Sequence, residues 1–218
     1  MKKKLFIAIL LALPLAGFAQ SKKTTKPDAA PGNKWEATRE VATEAPTENP
    51  LARYLDGAVP VVNGRVQWSL SLDVPGKSAQ EIYDRMGQFL NDMTHEENQT
   101  EHSRIALADE ASHTIACKFH EWLVFQSTFL SLDQTEFDYV IKAVCRDGHA
   151  DVTMEHINYM YERNRKGGTK HKAEDWITDK YAMNKSKTKL LPISGKFRRK
   201  TIDRKDEIFK KINDTLLN

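Results

Sequence analysis

The chain has 218 residues, 40% hydrophobic and 29% charged, with a formal net charge of +3 and two cysteines. That length holds one globular domain plus tails, and no apolar segment beyond the first twenty residues is long enough to cross a bilayer. The charge is uneven: Glu162 to Lys211 carries 17 Lys/Arg against 7 Asp/Glu, so the rest of the chain is acidic. The basic segment either lies on that acidic body or faces an anionic partner such as a lipid headgroup or a polysaccharide.

Lys2, Lys3 and Lys4 precede a short apolar run, Leu5 to Leu15, and Gly17 and Ala19 stand at the small-residue positions before Gln20. This pattern predicts a secretory signal peptide over residues 1–19, with a core too short to span a membrane stably. The mature protein is expected in the periplasm or outside the cell, which sets aside most nucleic-acid, ATP-driven and redox-thiol functions. Residues 20–53, rich in Lys, Thr, Pro, Ala and Glu, read as a flexible tether. The domain is expected over residues 54–218.

Val66, Trp68, Leu70, Leu72 and Val74 alternate with polar residues, which predicts a half-buried strand ended by Pro75-Gly76. Ser78 and Glu81 have capping-box spacing, and Ile82, Met86, Phe89, Leu90 and Met93 form one apolar stripe. Together they predict a helix from about Ala79 to Thr94. After a polar loop, four strands are expected: Arg104 to Ala108, Thr114 to Phe125, Phe137 to Cys145, and one through Ala150, Val152 and Met154. Asp147-Gly148 marks a tight hairpin turn that pairs Cys145 with Ala150 and Ile141 with Met154. A turn centred near Ser131 pairs Leu123 with Tyr139 and Cys117 with Cys145. The preceding turn places Leu107 opposite Ile115. Arg163 to Lys172 reads as a basic insert, Glu174 to Ile177 as a short packing segment, and Thr201 to Leu216 as a final helix. The fold class is α+β: one antiparallel five-stranded sheet with two helices on one face, in the order β-α-β-β-β-β-α.

Five stretches carry a family resemblance: Ala58 to Val62, Ser131-Leu132-Asp133, Ile157 to Glu162, Ala173 to Asp179 and Gly195 to Asp203. Together, over roughly residues 54–217, they resemble a domain family of unknown function with a TATA-binding-protein-like fold, common in secreted proteins of Bacteroidota-type bacteria. The resemblance implies the fold. It brings no catalytic residues, and the fold name imports no DNA binding.

Chemical motifs are sparse. Gly76-Lys77-Ser78 mimics the end of a phosphate loop, but Ser71 stands where the first Gly is required. The seven histidines match no compact ligand spacing, so no metal or cofactor is expected. Cys117 and Cys145, placed opposite each other, are either a disulfide or two buried thiols. The helix-free sheet face is the best candidate surface, through Arg104, Lys118, His120, Trp122, Val140 and Lys142, with Trp122 opposite Val140 and His120 opposite Lys142. The main reading is a non-enzymatic exported module that binds a protein or envelope component on that face. The alternatives are a hydrolase of envelope polymers using Glu174, Asp175 and Asp179, or a homodimer built through the same face.

Overall fold

The computed structural model describes residues 49–129, 131–162 and 168–218. The predicted signal peptide, the predicted tether up to residue 48 and residues 163–167 of the basic insert lie outside the described residues. The hairpin β1 (Val61–Val62) and β2 (Arg65–Val66) leads into β3 (Trp68–Asp73). Helix α1 (Ala79–Met93) follows. Then come β4 (Arg104–Asp109), β5 (Thr114–Thr128), β6 (Ser131–Arg146), β7 (His149–Tyr161) and β8 (Thr169–Lys172). The short α2 (Asp179–Ala182) and the long α3 (Ser194–Leu217) complete the chain.

The fold is α+β, with one large antiparallel sheet ordered β3-β7-β6-β5-β4 and β8 beside β7. The expected sheet of five strands has a sixth, because part of the basic segment pairs as β8, with Tyr159 opposite His171. Strand β7 is shared: its first half pairs with β3 and its second half with β8. Among the described residues no helix is long and apolar enough to cross a membrane.

Helices α1 and α3 cover one face. The capping box forms as expected: Ser78 N donates to Glu81 Oε2 at 2.8 Å and Glu81 N donates to Ser78 Oγ at 3.3 Å. Asp147 Oδ1 of the β6–β7 turn accepts from Ala79 N at 2.8 Å, adding negative charge at the helix start. Ile82, Met86, Leu90 and Met93 are buried against the sheet. Helix α3 begins seven residues before the predicted start, because Phe197 turns inward against Phe125 (4.5 Å) and Tyr159 (5.2 Å). Cross-strand aromatic pairs continue that core: Phe119 stacks on Tyr139 at 5.1 Å and Phe137 on Tyr159 at 5.5 Å.

Three registers settle the face assignments. The β6–β7 hairpin pairs Cys145 with Ala150 and Ile141 with Met154, as expected. The β5–β6 hairpin runs on to a Thr128–Ser131 pair, so its turn lies earlier than Ser131. Cys117 therefore faces Ile141, Leu123 faces Thr135, and the predicted pairing is shifted by four residues. An even shift keeps every side chain on its face, which is why the predicted inward set stays buried. It does separate the cysteines by four residues along the strands, about 13 Å, far beyond disulfide reach. Both are buried free thiols. Burial alone pushes Cys117 up to about 12 and Cys145 up to about 11. In β4 a bulge after Ile105 moves Leu107 opposite Ala116 rather than Ile115 and leaves it exposed.

Candidate groove on the helix-free sheet face

The face away from the helices is built of three rows of register partners. The first runs His120, Asp138, Asn158, Lys172 across β5, β6, β7 and β8. The second runs Trp122, Glu136, Met160, Lys170 over the same strands. The third runs Arg104, Lys118, Val140, Glu155 from β4 to β7. A β7 bulge between the Val140 and Asp138 partners places His156 at φ 57° and switches the inward set from Met154 to Ile157. That switch turns Asn158 outward beside Asp138.

A groove of about 720 Å³ lies over the first row, the Glu136–Met160–Lys170 part of the second and the Arg104–Lys118 end of the third. Its floor is acidic and its edges are basic. His120 sits between two carboxylates: Nδ1 hydrogen-bonds Asp138, and Nε2 lies 3.6 Å from Glu136. The ring of His102 packs edge-on to His120 at 5.5 Å. Ser103 Oγ fixes the His120 backbone, accepting from its N–H at 2.8 Å. Arg104 and Lys118 stand directly opposite each other on one edge, and Lys170 and Lys172 line the other. None of these four cations has a carboxylate partner among the described residues. Like charges directly across two strands destabilise a sheet, so this juxtaposition costs the fold something and does not serve packing.

Of the residues expected on this face, Arg104, Lys118 and His120 line the groove. Trp122, Val140 and Lys142 lie on the same face outside that lining. The corrected register pairs Trp122 with Glu136 instead of Val140, and His120 with Asp138 instead of Lys142. Glu136, Asp138, Asn158, Lys170 and Lys172 were missed. The alternation that exposes Val140 also exposes Asp138 and Glu136, but starting the strand at Phe137 hides Glu136. The Lys-x-Lys spacing of residues 170 and 172 carries a strand signal that the surrounding charge conceals.

The acids of the hydrolase reading are largely engaged in packing. Glu174 Oε1 accepts from Val66 N at 2.8 Å. Asp179 accepts from Gly57 N at 3.1 Å and lies 2.7 Å from the fully buried Arg198. Burial works to raise the Asp179 pKa, but hydrogen bonding with Asp56, Gly57 and Arg198 outweighs it and holds the carboxyl at about 2. Glu174 and Asp175 also line a smaller cleft of about 390 Å³, which shares Asn158 and Lys172 with the groove. Among the described residues no group of three His, Cys, Asp or Glu is arranged to hold a metal ion.

Sequence reasoning also missed a buried ion pair under α3. Glu121, wholly buried, accepts from Arg204 through both carboxylate oxygens at 2.9 Å, and from Tyr139 Oη at 3.1 Å and Asn98 Nδ2 at 3.1 Å. It stands in the inward phase of β5, where apolar alternation gives no hint of a carboxylate.

A family model described as a domain of unknown function (DUF4468) with TBP-like fold matches residues 68–160. The crystal structure of a DUF4468 family protein from Bacteroides ovatus is 43% identical, covering 78% of this chain and 96% of that one, with a TM-score of 0.71. The chain belongs to the DUF4468 family. A TBP-like protein from Parabacteroides distasonis, 21% identical over 74% of this chain and 98% of its own, superimposes with a TM-score of 0.61 and shows the same fold. Comparison with curated proteins gave no match. For this DUF4468 domain, the groove geometry is therefore the ground on which a functional reading stands.

Proposed function

We propose that this DUF4468 domain is an exported, non-enzymatic binding module of the cell envelope, with its ligand seated in the groove on the helix-free sheet face. The observation that carries this reading is the pair of basic edges, Arg104/Lys118 and Lys170/Lys172, left without carboxylate partners among the described residues around a groove of about 720 Å³. Residues that conflict locally with the sheet they sit in mark functional positions. Export rests on the signal-peptide pattern of residues 1–19, and the extended composition of residues 20–53 supplies reach.

Affinity capture from envelope extract tests the reading, comparing wild type with Lys118→Glu/Lys172→Glu and with Trp122→Ala. A recovered component lost in the charge-reversed variant and kept in Trp122→Ala is the expected result. Equal recovery by all three proteins removes the groove from the function. The hydrolase reading retains one support, the Glu174–Asp175 cleft. Polymer cleavage abolished by Glu174→Gln/Asp175→Asn would establish it instead.

A further inference from the structure

The arrangement of charge in the groove restricts the chemistry of its ligand, granted that the groove is the binding site. Cations stand at both edges, separated by three to four strand spacings, roughly 14–19 Å. Between them lie groups that accept hydrogen bonds. Asp138 is 33% exposed, and one of its oxygens holds His120 while the other makes no hydrogen bond among the described residues. Asn158 lies beside it in the same row. A complementary ligand needs anionic groups at its ends or along its length, and donors over the middle.

We infer that the groove binds a short acidic oligosaccharide. Its carboxylate or sulfate groups pair with Arg104/Lys118 and Lys170/Lys172, and its hydroxyls donate to Asp138 and accept from Asn158. Hydroxyls serve this floor well because each can donate and accept and can rotate to suit its partner. A nucleic acid fits poorly, since its closely spaced phosphates would lie over Asp138, and among the described lining residues the one exposed ring is His102, packed edge-on to His120, with no Trp, Tyr or Phe face open for base stacking. An acyl chain fits poorly too, because among the described residues Met160 is the one partly exposed apolar side chain lining the groove. An acidic peptide can match the edges, but the floor belongs to a sheet interior whose backbone groups are already paired, so no strand can be added there. The smaller cleft continues the surface past Asn158 and Lys172, which suits an elongated chain.

Titration calorimetry on the full chain tests this with four probes: tetragalacturonate, a chondroitin sulfate tetrasaccharide, neutral cellotetraose and hexaglutamate. One or both acidic sugars should bind more tightly than cellotetraose and hexaglutamate, and the pair separates carboxylate from sulfate recognition. Lys118→Gln and Lys172→Gln should each weaken that binding about tenfold and flatten its salt dependence. Asp138→Asn should weaken it by removing a charged acceptor, without the flattened salt dependence of the lysine variants. Hexaglutamate binding as tightly as the sugars, through the same lysines, would overturn the sugar assignment and leave the groove standing. Absence of binding by either acidic sugar at millimolar concentration would overturn it as well. Acidic-sugar affinity unchanged by both lysine substitutions, with folding intact by circular dichroism, would overturn the groove as the site altogether.

Discussion

Glu121 and Arg204 show how a single buried charge is tolerated in this core. Four side chains converge on the carboxylate, Gln99 included, so its lone pairs are used and its charge is matched. Glu121→Gln keeps the shape but leaves the Arg204 guanidinium short of an anion, although Glu96 and Glu207 stand near it. The expected loss is about 3 kcal/mol in a urea titration. The thiols give a second residue-scale outcome. Buried, unbridged and raised well above their ordinary range, Cys117 and Cys145 should be inert to a thiol reagent in the folded protein. Both should react after denaturation without added reductant, and reductant should leave the melting temperature unchanged.

At the scale of elements, two helical glycines should respond in opposite directions. Gly87 lies inside α1, and a Cβ there would sit 3.6 Å from Ile115 Cδ1, an ordinary contact. Gly87→Ala should raise stability by about 0.5–1 kcal/mol through helix propensity. A Cβ on Gly195, at the start of α3, would fall 2.7 Å from Leu190 Cβ. Gly195→Ala should lower stability by about 1–3 kcal/mol, because the 190–195 turn must move. Thermal melts of the two variants beside wild type read both. Elements of this kind were legible in the sequence where one periodicity ran unbroken, as in α1 or in Ala150, Val152 and Met154. They were illegible where the phase broke. The inward set of β7 shifts from Met154 to Ile157 at His156, and the β5–β6 turn lies outside the Gly and Asn/Asp signals that locate turns. The groove suffered most from this, since its floor depends on cross-strand neighbours and a register error of four residues replaces every β5–β6 pair.

At the scale of the molecule, Arg198 ties two distant segments, 54–55 and 177–179, to α3. Its guanidinium donates to the carbonyls of Tyr54 (2.6 Å), Leu55 (2.5 Å) and Ile177 (2.9 Å) and faces Asp179. Arg53 reinforces the clamp from the start of the described chain through Asp203 and Asp206. Because the folded Asp179 carboxyl titrates at about 2 against an ordinary 3.8, it favours the folded state more than the unfolded one whenever it is charged. The sign follows: its contribution is complete above the ordinary carboxylate range and is lost as the pH falls from 3.8 towards 2. Asp179→Asn should therefore lie below wild type in urea midpoint at neutral pH, and the gap should close across that acidic window. A gap independent of pH would show that the clamp works through shape rather than charge.

The placing of β3 sets a clock on folding. Its partner is β7, and a contact such as Ser71 with His149 joins positions 78 apart. The start of α1 likewise awaits Asp147, 68 positions on. Closing loops of that size costs entropy before any pairing repays it, which puts folding on the slow, millisecond-to-second side for a domain of this size. A chain emerging from its N-terminal end carries β3 unpaired until β7 appears, so this edge of the sheet is laid down only after the strand that follows β6 is available.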